Sequence, residues 1–458
     1  MEKVSDTVSE KAAVSGILLV GGRSERFGSA KALASFRGET LAERAWRLLH
    51  AVCDEVLAVG KAADALPLPF PVLDDGSPER APVFGLVAGL RAATHDTCLA
   101  VPVDCPLLTT EALRELARAV AVPGIGPLPG AYTKAMLPVL EERIAARELS
   151  LRGVNETVVE LDEATLTNVN TRAELLAAAA ADWASEHEDV RAVIVVGSQA
   201  RRDTPADRWS DLDLVLLLDD PQPYLDDASW VRELGRPVLT FLESAPDGHV
   251  ERRVLYEEGD DVDFVLFPVS ALERLETSES ATALVRRGYR VLLDRIGLAE
   301  RLERIARTRP PSALPTGDDL RELASDFWYH ALWTAKKLRR GEVFSAKECL
   351  DCYLKARLVT LLRWHAQALD PSVDTWHGGR FLERWGDPGA LAGLERAYAR
   401  YDLHDVVRAL WETIDLWQGL EEETARRLGV ETGLDHTELR RRISAVALDP
   451  RRGSTLRA

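Results

Sequence analysis

Short apolar runs alternate with amphipathic stretches over roughly the first third of the chain. Each run ends at a glycine or an aspartate, as buried strands of a parallel sheet commonly do. Three such strands are predicted, at residues 16–20, 56–59 and 99–103. Helices are predicted at residues 40–50, 84–93, 109–120 and 172–181. This alternation predicts an α/β fold with an open, mostly parallel, Rossmann-like sheet.

A second pattern begins after the alanine-rich helix at 172–181. Further strands are predicted at residues 190–196, 211–218, 237–243 and 261–267. From about Leu320 the apolar positions repeat at helical spacing, which predicts a C-terminal helical bundle. Prolines at 310, 311 and 315 mark the linker before it. The predicted domains span residues 15–181, 186–305 and 318–430.

Charge and composition narrow the classes of partner. The 458 residues carry a net charge of -17, so we expect neither a nucleic-acid-binding protein nor one that binds an anionic membrane. The polar, acidic stretch Met1 to Glu10 is unlike a secretion signal, and no apolar run approaches the ~20 residues of a membrane helix. We therefore expect a cytoplasmic protein. Cys349 and Cys352 are interpreted as idle thiols, because no second ligand pair lies near them.

Three aspartates of the second unit have the arrangement of a metal site. Asp211 and Asp213 lie two apart in one predicted strand, so their side chains point to the same face. Neighbouring carboxylates repel unless a cation lies between them, and Mg2+ prefers such oxygen ligands. Asp263, in a later strand, supplies a third carboxylate, with Asp261 as the weaker candidate. Charged and apolar residues also alternate along exposed edge strands, so the competing interpretation is that these aspartates lie on a solvated surface.

A glycine and a serine complete this predicted site. Gly197-Ser198 directly follow the strand at 190–196. Glycine lets the backbone approach a phosphate, and serine can donate a hydrogen bond to it. With the three carboxylates, this pair predicts a site where metal ions bridge a triphosphate and attack on the α-phosphate releases pyrophosphate.

These residues belong to a longer pattern that resembles the polymerase-β-like nucleotidyltransferases, and most closely the aminoglycoside 6-adenylyltransferases that modify streptomycin. The similarity rests on these stretches: Val195 to Ser198, Ser210 to Val215, Tyr256 to Gly259, Val262 to Pro268, Asp326 to Trp328, Ala335-Lys336 and Arg340 to Glu342. It covers about residues 186–429 and implies an α+β catalytic domain followed by a helical domain. That family transfers AMP from ATP to an aminoglycoside hydroxyl with Mg2+.

The resemblance also implies roles for the residues of the site. Asp211 and Asp213 would bind metal, and Asp263 would complete the metal site or help to deprotonate the hydroxyl. Gly197 and Ser198 would hold phosphate.

A glycine-rich loop follows the first predicted strand. It begins with Gly21-Gly22, and Arg26 and Lys31 add positive charge for a phosphate. No Gly-Lys-Ser/Thr sequence follows, so the loop is not a P-loop. Asp104, at the end of another strand, offers the carboxylate that a metal needs, at the sheet edge where α/β proteins bind ligands. An ordinary strand-to-helix loop is the alternative.

The first unit resembles the molybdenum cofactor guanylyltransferases over about residues 15–176. The similarity rests on these residues: Leu19 to Leu33, Asp75, Pro82, Gly85 to Leu90, Val101 to Pro106, Pro127 to Tyr132 and Asn168 to Thr171. Members of this family join GTP to the phosphate of molybdopterin. The resemblance implies that these residues bind the nucleotide: Leu19, Val20, Gly21, Lys31, Asp75 and Asp104. It also implies that Asp104 holds Mg2+.

Two departures from that family concern the first unit. Ala30 precedes Lys31, where members often have aspartate. Residues 123–127 follow the predicted helix at 109–120 almost at once, where the family has a longer segment with a strand. The shortening would remove part of the expected substrate wall.

The sequence therefore predicts a fusion of two nucleotidyltransferases. One would use ATP, Mg2+ and an aminoglycoside-like acceptor, and the other GTP and molybdopterin. Two alternatives stay open: the second half could adenylate a protein or another metabolite, or the chain could be a nucleotide-binding sensor with an inactive N-terminal half. The intact carboxylates Asp211, Asp213 and Asp263 favour an active second half.

Overall fold

A computed structural model of the chain describes residues 13–21, 27, 30–201, 204–244, 250–308, 314–375 and 377–447. The chain divides into two compact units, residues 1–308 and 309–458. In the described residues, unit 1 contains a five-stranded sheet, a six-stranded sheet and two short two-stranded sheets, and unit 2 is helical.

The first sheet of unit 1 has five strands in the order β5-β4-β1-β6-β8, of which only β8 runs antiparallel to its neighbour. The strands of this region are β1 Val14–Leu19, β2 Ser35–Phe36, β3 Glu39–Thr40, β4 Glu55–Gly60, β5 Val72–Asp74, β6 Thr97–Pro102, β7 Val122–Pro123, β8 Gly130–Thr133 and β9 Val158–Val159. Its helices are α1 Leu41–His50, α2 Pro82–Ala92, α3 Thr110–Ala119, α4 Leu137–Ala145 and α5 Arg172–Glu186. The predicted mostly parallel α/β sheet is confirmed.

Glycines set the distance between α2 and the central strand β1. A Cβ atom at Gly85 would lie 2.8 Å from Leu19, and one at Gly89 would lie 2.7 Å from Ile17. No real Cβ contact is that short, so the two glycines allow α2 to pack directly on the strand that leads to the glycine-rich loop.

The second sheet of unit 1 is mixed and has six strands in the order β12-β13-β14-β11-β10-β15. They are β10 Val190–Val196, β11 Leu212–Leu218, β12 Pro237–Ser244, β13 Val250–Tyr256, β14 Asp261–Pro268 and β15 Arg290–Asp294. The helices around it are α6 Gln222–Asp226, α7 Val231–Leu234, α8 Leu272–Thr277, α9 Glu279–Arg287 and α10 Leu298–Ala306. Only β11 and β14 pair in parallel, which aligns the starts of both strands at one edge.

Helix α5 contributes to a hydrophobic core that contains residues of both sheets. Its buried alanines and Trp183 lie in one continuous hydrophobic core that also contains Leu18 of β1 and Phe264 of β14. The Trp183 ring stacks on Trp230 with centroids 5.2 Å apart. The predicted limit between residues 181 and 186 falls at the end of this helix, and the domain boundaries stay a prediction.

Unit 2 is a helical bundle with its own core, as the spacing after Leu320 predicts. Its helices are α11 Gly317–Arg339, α12 Val343–Glu348, α13 Lys355–Leu369, α14 Leu382–Trp385, α15 Pro388–Ala397, α16 Leu403–Leu428 and α17 His436–Val446, with a π-helical segment at Cys349–Leu354. Phe327 and Trp417 stack in the core with ring centroids 3.8 Å apart. Within the described residues, no helix combines the length and apolar character needed to cross a membrane.

Candidate active sites

The second sheet of unit 1 brings three carboxylates together. Asp213 of β11 lies opposite Asp263 of β14 in the parallel pairing, and Asp211 directly precedes β11. Oxygen atoms of the three side chains lie within 4.8 Å of one another. Among the described residues, no other group of three or more acidic, cysteine or histidine side chains is close enough to share a metal ion. Asp261 is not part of this cluster.

Gly197 lets the backbone pass directly against this cluster. It follows β10 in a 3-10 turn, Gly197–Gln199, and has a φ of +64°. A Cβ atom there would lie 1.9 Å from Oδ2 of Asp213. Both the conformation and the contact exclude a side chain, so glycine is required for this approach.

Ser198 lies beneath the carboxylates and is only 2% exposed. Its hydroxyl donates to the carbonyl oxygen of Asp211 at 3.0 Å and lies 3.4 Å from Oδ1 of the same residue. The amide of Gln199 donates to the carbonyl oxygen of Ser210 at 3.2 Å. The turn therefore fixes the backbone that presents Asp211, while the predicted phosphate contact of Ser198 stays a prediction.

The electrostatics of Asp263 fit a cation site. Burial raises the pKa of its carboxyl group to about 6, Arg253 opposes that shift, and the neighbouring acidic groups Asp211, Glu251 and Asp261 reinforce it. A bound divalent cation would stabilise the ionised form and lower this pKa again. An all-oxygen set of this kind suits Mg2+.

Arg253 was not predicted from the sequence. It lies opposite Asp263 in the antiparallel pair of β13 and β14, and its Nη1 is 3.2 Å from Oδ2 of that aspartate. It also forms ion pairs with Glu243 and, at 3.4 Å, with Glu251. The signal available in the sequence is the charged stretch Glu251 to Arg253, but only the strand register shows which residue faces the cluster.

The first sheet brings Lys31 and Asp104 together. Lys31 lies in the 3-10 turn Lys31–Leu33 after the glycine-rich loop, and its Nζ is 3.2 Å from Oδ2 of Asp104. The same Nζ donates to Oδ1 of Asn170 at 2.8 Å. The amide of Val169 donates to the Asp104 carbonyl at 2.8 Å, which ties the segment before α5 to the end of β6.

One oxygen of Asp104 fits the predicted metal. Its Oδ1 is buried and makes no hydrogen bond. A buried carboxylate oxygen without a partner is unfavourable, and a cation bound there would satisfy it. The contact between Asn170 and Lys31 was not predicted from the sequence, although Asn170 lies in a stretch that carries the family resemblance.

The remaining predicted residues of the first site lie at the same sheet edge. Leu19 and Val20 are buried, and Gly21 lies beside Gly60, whose Cα would be 3.5 Å from a Cβ atom at Gly21. Asp75 accepts from Nζ of Lys61 at 2.7 Å and from the amide of Ser77 at 3.0 Å. These bonds hold the loop after β5, and the nucleotide contact of Asp75 stays a prediction. Two further predicted residues, Gly22 and Arg26, lie outside the described residues.

Two family models match the chain. The model described as streptomycin adenylyltransferase matches residues 171–443, which is more than half of the chain. The model described as MobA-like NTP transferase domain matches residues 16–155. The helix α5 thus falls in the range of the first of these models.

Individual proteins are similar to parts of the chain. The probable molybdenum cofactor guanylyltransferase of Chloroflexus aggregans is 34% identical over 155 residues, which are 30% of this chain and 74% of that protein. The aminoglycoside 6-adenylyltransferase of Bacillus subtilis is 21% identical over 212 residues, 44% of this chain and 72% of that protein. The crystal structure of an aminoglycoside 6-adenyltransferase from Bacillus subtilis covers 58% of this chain and 94% of its own at 16% identity, with a TM-score of 0.30.

Proposed function

The chain belongs to the streptomycin adenylyltransferase family and carries an N-terminal domain of the MobA-like NTP transferases, and on this basis we propose that it is a bifunctional nucleotidyltransferase. Residues 186–305, with the helical residues 318–430, would transfer AMP from ATP to a hydroxyl of an aminoglycoside-like acceptor. Residues 15–181 would transfer GMP from GTP to the phosphate of molybdopterin.

The cluster of Asp211, Asp213 and Asp263 carries the proposal for the second half. These three residues would hold Mg2+, which when bound neutralises triphosphate charge and favours departure of pyrophosphate. Gly197 leaves room for the carboxylate of Asp213, and Ser198 holds Asp211 in place.

In the reaction, the acceptor hydroxyl oxygen forms a bond to the α-phosphorus of ATP, and the bond from that phosphorus to pyrophosphate breaks. The hydroxyl proton passes to a carboxylate, for which Asp263 is the candidate. The aminoglycoside class is supported by the name of the Bacillus subtilis relative and by the acidic character of the chain, which suits a polycation.

The proposal for the first half rests on Asp104 and Lys31. The Oδ1 of Asp104, which makes no hydrogen bond, would hold Mg2+. Lys31, whose Nζ lies 3.2 Å from the other oxygen of that carboxylate, would bind the phosphates of the nucleotide. The relative in Chloroflexus aggregans and the matching domain model supply the substrate class.

Acceptor profiling tests the second half. The wild-type protein, given ATP, Mg2+ and a panel of aminoglycosides, should release pyrophosphate with at least one acceptor. Asp211→Asn should lower that rate on the order of 100-fold or more, because it removes charge from the metal site but little volume. Asp219→Asn, at an exposed acidic residue of the same unit, is the matched control and should leave the rate unchanged.

The outcomes separate the candidate functions. Turnover with proteins or other metabolites but with no aminoglycoside would contradict the proposed acceptor class. Tight ATP binding without pyrophosphate release for any acceptor would favour a sensor. For the first half, incubation with GTP and molybdopterin should yield the guanylylated product, and an unchanged yield in Asp104→Ala would contradict the proposed role of Asp104.

A further inference from the structure

Arg172 lies between the two nucleotide sites. It is the first residue of α5, and its side chain is 25% exposed. Its Nε donates to Oδ2 of Asp260 at 2.5 Å, and its Nη2 lies 2.8 Å from Oε2 of Glu258. On its other side, the guanidinium lies over the ring of Phe27 at 5.8 Å. Phe27 belongs to the glycine-rich segment of the first site, whereas Asp260 and Glu258 belong to the second sheet.

The position of this arginine in its helix is unfavourable by itself. A cation in the first turn opposes the helix dipole, whose positive end lies there. The two carboxylates from the turn between β13 and β14 compensate for it. Backbone bonds also hold that turn: the amides of Tyr256 and Gly259 donate to the carbonyls of Asp260 and Tyr256, and the amide of Glu257 donates to the carbonyl of Arg236. Arg172 adds side-chain contacts to the turn from outside.

This turn leads directly into the metal-binding cluster. β14 begins at Asp261, next to the residue that Arg172 holds, and Asp263 follows two positions later. Arg253, which pairs with Asp263, lies on the other strand of the same hairpin. Arg172 therefore contacts the turn that joins the two strands carrying Asp263 and Arg253.

The first site reaches the same helix end. Nζ of Lys31 donates to Oδ1 of Asn170, which lies two residues before Arg172. Glu174 accepts from the backbone amides of Asn170 and Thr171 at 2.5 and 3.1 Å, so this segment and the first turn of α5 form one hydrogen-bonded piece. Lys31 of the first site is thus bonded directly to the segment that precedes α5.

We propose that Arg172 is a positioning residue that couples the two nucleotide sites, so that a nucleoside triphosphate bound at the first site weakens binding of the second nucleotide. The inference rests on the proposed function. Phosphates at the first site draw Lys31 away from Asn170, which loosens the start of α5 and the hold of Arg172 on the hairpin turn. The carboxylates of the second site are then less well placed for their nucleotide. By linkage, the second nucleotide weakens binding of the first by the same factor.

The experiment uses the full chain and two analogues that are not cleaved, α,β-methylene-ATP and α,β-methylene-GTP, with Mg2+. Calorimetric titration gives the Kd of the ATP analogue with and without the GTP analogue. A saturating GTP analogue should raise that Kd by about fivefold and then reach a plateau, which is the low end of typical coupling between sites. If the two analogues competed for one site, the apparent Kd of the ATP analogue would instead keep rising with the concentration of the GTP analogue.

Substitutions test whether Arg172 carries the coupling between the two sites. In Arg172→Met the two analogues should bind independently, and Arg172→Lys, which keeps the charge but fewer contacts, should restore part of the coupling. Arg37→Met is the matched control, because Arg37 also pairs with α5, through Asp182 and Glu186 at its other end, each at 2.7 Å. It should lower stability and keep the fivefold effect. Thermal melting of all three variants checks that they fold.

Each result decides between the two proposals. If the wild type does not bind the ATP analogue, or if Asp211→Asn binds it equally well, the proposed function of the second half is wrong and the coupling with it. If both analogues bind and neither alters the Kd of the other, the coupling alone is wrong. A saturable effect that survives in Arg172→Met would exclude Arg172 as its carrier.

Discussion

At the scale of single residues, Gly197 offers the most direct test of the second site. Gly197→Ala places a Cβ atom 1.9 Å from Oδ2 of Asp213 at a φ of +64°, so the turn or the carboxylate must move by more than an ångström. Transfer by the second half should fall about 100-fold, as misplacement on this scale typically does. Pyrophosphate release measures it. Gly297→Ala, at φ +70° with open space around it, shares only the backbone strain of about 1 kcal/mol and should keep its activity.

Asp263 makes stability depend on pH when metal is removed. Burial raises its pKa from the usual 3.8 to about 6, so between those values the folded chain binds more protons than the unfolded chain. The protein in EDTA should therefore lose stability as the pH rises from 4 to 6. Asp263→Asn should raise the free energy of unfolding at pH 7 by about 1–3 kcal/mol, and the gain should shrink toward pH 4.

Urea unfolding at several pH values measures this gain, and Asp219→Asn, at an exposed residue outside the cluster, is the control. Equal stability of wild type and Asp263→Asn at pH 7 would show that the buried carboxylate carries no penalty. The same substitution should abolish transfer, since the group that destabilises the metal-free fold is the one proposed to serve the reaction.

Residues at strand ends were the ones that the sequence could predict. Asp211, Asp213 and Asp104 each stand beside an apolar run, so their place at a sheet edge follows from local pattern. Arg253 and Asn170 could not be found in this way. The contact from Asn170 to Lys31 spans 139 positions, and the contact of Arg253 depends on the register of two strands, neither of which a local pattern encodes.

At the scale of elements, α5 should control the stability of both halves of unit 1. Ala179 is 1% exposed and lies in the core that the two sheets share. Ala179→Leu adds three carbon atoms there and should lower the free energy of unfolding by about 1–3 kcal/mol. Binding of both nucleotide analogues should be lost at the same, lower urea concentration. Ser185→Ala, at an exposed position of the helix, should change stability by less than about 0.5 kcal/mol. Loss of one affinity well before the other would contradict a single cooperative unit.

Prediction of the elements succeeded where the pattern was strong. β10 has the predicted bounds, and α11 contains the helical spacing that begins at Leu320. β13 and β15 were not predicted. β13 includes three consecutive charged residues, Glu251 to Arg253, and β15 is a five-residue strand without a buried residue, so their strand structure comes from pairing with neighbours.

At the scale of the whole molecule, net charge should affect the two substrates of the second half in opposite ways. A net charge of -17 attracts a polycationic acceptor and repels ATP. Raising the ionic strength from about 0.05 to 0.3 M should lower kcat/KM for an aminoglycoside by roughly tenfold and should not raise KM for MgATP. Steady-state kinetics with an acceptor that carries fewer amines provides the comparison, and equal salt dependence of both acceptors would contradict steering by charge.

The shared core is the feature of the whole molecule that the sequence did not show. The sequence predicted an α/β unit followed by an α+β unit, with a limit between residues 181 and 186. The five consecutive alanines of α5 gave no sign that the helix is covered on two sides, although all five are buried. Small side chains allow close packing, and the surfaces that they contact are determined only in the folded chain.

Because α5 lies in a hydrophobic core that contains residues of both sheets, removing residues 172–186 would expose apolar surface in both parts of unit 1. A deletion of this helix should therefore impair both proposed activities, whereas a point substitution such as Asp104→Ala should impair only the one proposed for the first half.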